Sequence, residues 1–245
     1  MMRVAVAIVP EVRQLLAENP SELSALLEEI HTEDLADLLG MLEDHEAALV
    51  LKTLRVEDAA LILERLDDET QEAMVEHLGV DNIAPIVSEM AADERTDLIE
   101  ALPDAMGDTL LESLERVDPE AAAEVEELAK WPEDSAGGLM TTDYISAPPD
   151  MSVFDTIELI RVEGEDAETV YYVYVVDGAH RLLGVVSLRD LLLASSSTRL
   201  RDALTENVFT VGPETDQEEV ARTLAKYDFS ALPVVDGDRK LLGVI

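Results

Sequence analysis

The sequence has no cysteine, few aromatic residues and few basic ones. Without cysteine it can form no disulfide, thiolate metal site or cysteine nucleophile, and it fits a reducing compartment. Aromatic residues are only 4% of the chain, so aliphatic side chains and methionine must build its cores. No run approaches the ~18–20 apolar residues of a membrane helix, and the apolar run Val4–Val9 is too short for a signal peptide. We therefore expect a soluble, intracellular chain.

Acidic residues far outnumber basic ones. The chain contains 55 Asp and Glu against 17 Lys and Arg, for a formal net charge of −38. Contacts to phosphate groups need Lys and Arg, so this charge argues against nucleic acid and anionic lipid as partners. The same charge should attract cations, although it could also serve solubility or adaptation to high salt.

Three apolar positions recur every twelve residues through the N-terminal half of the chain. Their spacing of i, i+1 and i+4 within each copy predicts a short helix with one apolar stripe. We expect about ten such helices between about residues 11 and 128, stacked as a solenoid-like superhelix because none can bury its stripe alone. The recurring positions are Leu26, Leu38, Val50, Ile62, Met74, Ile86, Leu98 and Leu110; Leu27, Leu39, Leu51, Leu63, Val75, Val87, Ile99 and Leu111; and Ile30, Leu42, Leu54, Leu66, Leu78, Met90, Leu102 and Leu114.

The C-terminal half contains a duplicated β-α unit. A β-branched and aromatic segment that ends in Asp177 precedes a second apolar segment around Gly184, and the pattern returns 59 residues later at Asp236 and Gly243. The predicted strands span residues 170–177, 181–186, 232–236 and 240–245, and the predicted helices span 153–162 and 217–226.

A unit that ends in "VVD…LLGVV" and occurs twice resembles the tandem CBS domain, a regulatory β-α-β-β-α fold that often binds adenine nucleotides. The segment Ser187–Leu191 matches the Ser/Thr-x-x-Asp element of that family. The resemblance implies that Asp190 binds the ribose hydroxyls, that Arg189 lies near the phosphates, and that Tyr172 and Phe229 flank the adenine. Alternatively, the two aromatic residues belong to the core and Arg189 pairs with a local acid.

The linker "WPEDSAGGLMTTDY", from Trp131 to Tyr144, resembles the signature of MgtE-type magnesium channels, although Trp131 stands where that family usually has Tyr. The implied fold class is α plus α/β, a superhelix of short repeated helices followed by a tandem CBS pair. The expected domains are an acidic helical repeat (1–130), the linker with a first CBS domain (131–198), and a second CBS domain (199–245). The chain stops at Ile245, before the second Ser/Thr-x-x-Asp element, so we expect a cytosolic sensor without its plug helix and pore.

The same resemblance suggests magnesium ligands. Asp93 and Asp97 lie four residues apart, hence on one helix face, in a segment resembling the ion-bridging region of the family. Asp228, beside the Ala225 carbonyl, matches a second such segment. Oxygen ligands suit Mg²⁺, which keeps several waters. Alternatively, Asp93 caps a helix, Asp97 is a solvated surface residue, and Asp228 is only a polar residue at a helix end.

These observations lead to a hypothesis and two rivals. The hypothesis is a Mg²⁺-controlled gate on the cytoplasmic side of a membrane, dimeric through its CBS pair and joined to a pore in the same polypeptide, with Mg²⁺ as regulator and ATP as a further ligand. One rival is an adenine-nucleotide sensor that acts on a partner protein. The other is a scaffold whose acidity reflects a salty cytoplasm. The four histidines are scattered and no Gly-rich phosphate loop is present, so we expect no enzyme activity.

Overall fold

The computed structural model describes residues 3–27, 30–164, 167 and 169–245. Within these residues the chain forms two compact units. The first includes the chain up to Met90 and Glu94–Glu127, and the second includes Ala91–Asp93 and Leu128–Ile245. Short helices come first and an α/β arrangement follows, so the predicted fold class is confirmed.

The helical half contains ten α-helices in its described residues, as the repeat predicts. The predicted start near residue 11 is wrong, because α1 begins at Arg3 and contains Pro10. Apolar residues on both sides of Pro10, including the fully buried Val12, pack on the core and offset the cost of an internal proline, about 3 kcal/mol. The helices are α1 Arg3–Glu18, α2 Pro20–Leu27, α3 Thr32–Leu39, α4 Asp44–Leu51, α5 Val56–Leu63, α6 Asp68–Leu78, α7 Val80–Ser88, α8 Ala92–Ala101, α9 Asp104–Val117 and α10 Pro119–Leu128.

The twelve-residue repeat sets the core of these helices. Each of its recurring positions is buried or half-buried, and Val50, Ile62, Leu63 and Leu110 are fully inaccessible. Helices pack against the helix two places further along the chain: α1 on α3, α3 on α5, α5 on α7, α7 on α9, and α4 on α6. Burying one such aliphatic side chain stabilises the fold by about 1.5–3 kcal/mol. The stripes of alternate helices therefore share one continuous core.

One buried charge joins the end of α7 to α10. Arg95 on α8 is 4% exposed, and its guanidinium donates five hydrogen bonds that include one to the Glu124 carboxylate. Three of these bonds reach the carbonyls of Val87, Ser88 and Met90 at the end of α7, where the regular intrahelical pattern stops. The acceptors, at 2.7–3.3 Å, are the carbonyl oxygens of Val87, Ser88, Met90 and Ala121 and the Glu124 carboxylate.

We expect Arg95→Met to lower the free energy of unfolding of the helical unit by about 3–5 kcal/mol, because it removes one partner of a buried ion pair together with all five of its hydrogen bonds. The matched control is Arg116→Met, which removes the same charge from an exposed ion pair with Asp81 and should cost about 1 kcal/mol or less. Urea denaturation followed by circular dichroism measures both. Equal losses would show that Arg95 matters only as a positive charge in an acidic chain.

The second unit contains two small sheets. Strands β1, β2 and β3 form one sheet in that order, with β1 parallel and β3 antiparallel to β2, and β4 and β5 form an antiparallel pair. The four predicted strands and two predicted helices are confirmed. β1 and α12 had no predicted bounds, and they correspond to the first strand and the last helix of the β-α-β-β-α fold that the CBS resemblance implied. The elements are β1 Tyr144–Ala147, α11 Val153–Glu163, β2 Thr169–Val176, β3 Leu182–Ser187, α12 Leu188–Leu193, a 3₁₀ turn Leu200–Asp202, α13 Gln217–Tyr227, β4 Pro233–Val235 and β5 Leu241–Val244.

The duplication extends to the hydrogen bonds of the two hairpin turns. The Asp177 carboxylate accepts bonds from the backbone N–H groups two and four residues further on, and Asp236 does the same. The backbone N–H of Arg181 is the main cause that lowers the pKa of Asp177 to about 2. His180 and Arg239 take the same left-handed conformation, with φ of 60° and 63°. Each turn is therefore fixed by one aspartate and one left-handed residue.

Crossed strand pairing joins the two halves of this unit. Thr141, near the start of the first half, pairs with Val244 of the second half, while Thr205, near the start of the second half, pairs with Val185 of the first. The crossing brings the backbone of Gly184, within β3, against the backbone of Thr205, and a Cβ atom on Gly184 would lie 2.4 Å from the Thr205 carbonyl oxygen. Only glycine fits there without a shift of the backbone.

Gly184→Ala should lower the free energy of unfolding of the second unit by about 1–3 kcal/mol, since the new methyl group meets a rigid carbonyl. Gly178→Ala is the control, because no heavy atom lies within 4 Å of a Cβ built there, and it should change stability by about 0.5 kcal/mol or less. Thermal unfolding of the two variants gives the comparison. If Gly184→Ala unfolds like the control, the close approach does not constrain this position.

Candidate functional site

The β2–β3 hairpin presents one face to a cavity in the second unit. Tyr172 pairs with Ser187 and Tyr174 pairs with Val185 across the two strands. Because side chains alternate along a strand, these four lie on one face. All four line a cavity of about 220 Å³.

Aromatic rings form another part of the cavity wall. Phe209 and Phe229 both line it, with ring centroids 5.5 Å apart. Tyr227 stacks on Phe229 at 5.4 Å with an interplanar angle of 19° and extends the aromatic cluster. Mostly apolar walls with a few polar groups are typical of sites for small ligands, and flat aromatic faces suit a planar one.

The polar part of the wall lies where β3 turns into α12. The Ser187 hydroxyl accepts a hydrogen bond from the Asp190 backbone N–H at 3.1 Å and donates one to the Asp190 carboxylate at 2.6 Å. A carboxylate has two oxygens and about four acceptor positions, so this bond leaves capacity for ligand hydroxyl groups. Ser187 therefore fixes Asp190 at the cavity with an acceptor available.

Tyr174, one of the residues that line the cavity, carries a buried hydroxyl. The residue is 1% exposed, and its hydroxyl has no hydrogen-bond partner within the described part of the chain. Burial, followed by the nearby Tyr172 and Tyr144 side chains, raises the pKa of Tyr174 far above that of a free tyrosine. The hydroxyl is thus neutral at any physiological pH.

The structure brings together three of the four residues proposed for the nucleotide. Tyr172, Asp190 and Phe229 line one cavity, while Arg189 is exposed on α12 and is not among the described residues of the lining. Sequence reasoning missed Tyr174, although its position two residues after Tyr172 was a signal that both share a strand face. It also missed Phe209, for which the sequence offers no comparable signal.

The residues proposed for Mg²⁺ lie on two helices. Asp93 and Asp97 are on α8, where Asp93 is half-buried and Asp97 is exposed. Asp228 ends α13 in a left-handed conformation, with φ of 55°. The backbone N–H groups of Asp228 and Phe229 both donate to Leu224, and the Ala225 carbonyl lies in the last turn, where carbonyls lack intrahelical donors.

The structure tests what kind of metal site these residues fit. Within the described residues, no group of three or more His, Asp or Glu side chains could hold a metal ion. Mg²⁺ usually binds through one or two carboxylates and keeps several waters. The described carboxylates therefore form no all-protein cage for a metal ion.

Family comparisons match both halves of the chain. Residues 30–134 match the model of the MgtE intracellular N domain, and residues 136–197 and 200–245 match the model of the CBS domain. In the part of the chain that the structure describes, no helix is both long and apolar enough to cross a membrane.

Magnesium transporters are among the similar proteins. The magnesium transporter MgtE of Thermus thermophilus is 49% identical over 129 residues, which are 53% of this chain and 29% of the transporter. That of Bacillus subtilis is 34% identical over 153 residues, which are 62% of this chain and 33% of the transporter. The chain thus spans about a third or less of the curated relatives it matches.

Two solved structures resemble the chain over nearly its whole length. A crystal structure of the cytosolic domain of the Mg²⁺ channel MgtE in complex with ATP has a TM-score of 0.85 and 40% identity, and covers 90% of this chain and 89% of that one. A crystal structure of the soluble part of a magnesium transporter has a TM-score of 0.91 and 29% identity, and covers 100% of this chain and 94% of that one.

Proposed function

Because the chain belongs to the MgtE family, as its MgtE N domain and tandem CBS domains, we propose that it is the Mg²⁺-sensing regulatory region of a magnesium transporter. The observation that carries the proposal is the order of the two family matches, an N domain and then a CBS pair, in a chain of net charge −38. In this role the chain has no catalytic activity. It lies on the cytoplasmic side of the membrane, dimerises through its CBS pair and acts on a pore formed by the same polypeptide.

The proposed mechanism is electrostatic. Like charges resist compaction of so acidic a chain, and a divalent cation held between carboxylates relieves that repulsion. Asp93 and Asp97 supply one pair of oxygens, and Asp228 with the Ala225 carbonyl supplies another. Mg²⁺ shifts the equilibrium only as far as it binds the compact state more tightly, and about 5.5 kcal/mol of differential binding would reverse a 1:99 ratio of states. Compaction then closes the pore.

Small-angle X-ray scattering during a Mg²⁺ titration tests this mechanism. We expect millimolar Mg²⁺, on the order of physiological levels, to reduce the radius of gyration at constant ionic strength, and Na⁺ to have no such effect because monovalent ions screen charges without bridging them. The double variant Asp93→Asn/Asp97→Asn should require a several-fold higher Mg²⁺ concentration to reach half of the decrease in radius of gyration.

The control for this variant is Asp104→Asn/Asp108→Asn. Both aspartates are exposed, and like Asp93 and Asp97 they lie four residues apart near the start of a helix, here α9, so the change in charge is the same. An equal shift of the titration midpoint in both variants would mean that total charge, and no particular pair, determines the response. Equal compaction by Na⁺ would support the salt-adapted scaffold instead.

A second function, adenine-nucleotide sensing, is favoured by the cavity of the CBS pair. In this proposal Tyr172 and Phe229 flank the adenine and Asp190 accepts hydrogen bonds from the ribose hydroxyls. Arg189, exposed one residue before Asp190, reaches the phosphates. The ATP complex of the similar MgtE cytosolic domain supports this assignment. The two functions are compatible, since the nucleotide and the cation use different residues.

Isothermal titration calorimetry with ATP tests the second function. Asp190→Asn should weaken binding about 10- to 150-fold, because hydrogen bonds to a charged acceptor contribute about 1.5–3 kcal/mol. Asp155→Asn is a closely matched control, since Asp155 makes the same pair of bonds with Ser152 at the start of α11 and lies outside the cavity lining. No heat of binding in the unmodified chain, or equal weakening by both variants, would contradict the assignment.

A further inference from the structure

Three aromatic side chains form a partly exposed cluster at the cavity of the second unit. Phe209 is 49% exposed and Tyr227 is 41% exposed, while Phe229 is half-buried. Phe209 and Phe229 line the cavity, and Tyr227 is not part of the described lining. Exposed aromatic rings keep a large apolar area in contact with water, so a ligand that covers them gains free energy. Phe209 is therefore accessible to a ligand in the cavity.

The position of Phe209 is fixed by backbone pairing on both sides of it. Thr205 donates a hydrogen bond to the backbone of Val185 at 2.8 Å and accepts one from it at 3.1 Å. Further along the chain, Val211 forms a parallel bridge with Val234. Phe209 lies in the short segment between these two attachments, which restrict its backbone. The ring is therefore presented at the cavity in advance, and little entropy is lost when a ligand covers it.

The arrangement of Phe209 and Phe229 limits how a planar ligand can reach both rings. Their centroids are 5.5 Å apart, with an angle of 48° between the ring planes. Aromatic rings in direct contact have centroids about 4.5–7 Å apart, so no planar ligand fits between these two. A base can contact both only by lying across them from within the cavity. The fused rings of a purine span two neighbouring side chains better than the single ring of a pyrimidine does.

We infer that Phe209 is a specificity-determining residue, whose ring contacts the base of a bound adenine nucleoside together with Phe229. The inference rests on the proposed nucleotide binding, and it adds a second aromatic contact and a preference for purine bases. In that proposal Asp190 accepts hydrogen bonds from the ribose, so the two ends of the nucleoside meet different residues. The phosphates do not take part in the contact with Phe209.

Calorimetry with the variant Phe209→Ala tests the inference. The affinity for adenosine should fall about 5- to 150-fold, the range expected when a base loses an aromatic ring on which it stacks. The affinity for ATP should fall by the same factor, because the phosphates lie away from this ring. Phe209→Tyr should keep the affinity of the unmodified chain, since it keeps the ring and the exposed side chain can place a hydroxyl in water.

Cytidine, measured by its competition with adenosine, tests the preference for purines. The unmodified chain should bind adenosine more tightly than cytidine, and Phe209→Ala should reduce that difference because the wider base loses more contact. An unchanged ratio of the two affinities in the variant would contradict a base that lies across both rings.

Tyr227→Ala is the matched control, because it separates a direct contact from support of Phe229. The ring of Tyr227 stacks on Phe229 with centroids 5.4 Å apart, and its centroid is 4.5 Å from that of Phe209. Both variants thus remove a neighbour of Phe229, but only Phe209→Ala removes a residue of the described lining. Tyr227→Ala should weaken adenosine binding much less. Equal weakening by both variants would mean that Phe209 acts only by supporting Phe229, and the inference would fail.

Three other results would overturn the inference. Equal adenosine affinities of the unmodified chain and Phe209→Ala would refute it while nucleotide binding stood. A loss confined to ATP and absent with adenosine would place Phe209 at the phosphates. If the unmodified chain bound neither ligand, the inference and the nucleotide function would both fail.

Discussion

A helix of eight residues is unstable by itself in water, and α2, α3, α4 and α5 are each that short. Their stability comes from the apolar stripe that each one buries against other helices, α2 against α1 and the other three against the helix two places along the chain. Where stacking leaves a charge or a carbonyl inside, a side chain must satisfy it, as Arg95 does between α7 and α10. None of the described Asp and Glu residues is buried, so the helical unit combines an aliphatic interior with an acidic surface.

The periodic spacing of apolar residues predicted most of the fold, because the residues that recur at that spacing are the ones that the fold buries. The twelve-residue spacing identified the buried stripe, and the repeated Asp and Gly of the C-terminal half identified two hairpins. The start of α1 was missed because a proline normally argues against a helix interior, and packing overrode that preference. Strand β1 has only four residues and α12 only six, too few for either period to appear.

The candidate site was predictable where side chains share a strand face or a motif, and not where the fold brings distant segments together. Tyr172, Asp190 and Phe229 were proposed from their resemblance to CBS motifs, and they line one cavity. Phe209 reaches it from a segment without regular structure. Arg95 could not have been recognised, because its acceptors are mainly backbone carbonyls, which every residue possesses.

The crossed pairing of Thr141 with Val244 and of Thr205 with Val185 constrains how the second unit is made. During synthesis Val185 leaves the ribosome before its pairing partner Thr205. Thr141 can pair only after Val244, near the end of the unit, has been synthesised. Such non-local contacts slow folding, because the chain must close long loops before they form. The first half therefore cannot complete its folding before the second half is present. They are expected to fold as one cooperative body, and dividing the unit between them would leave each half with an unpaired edge.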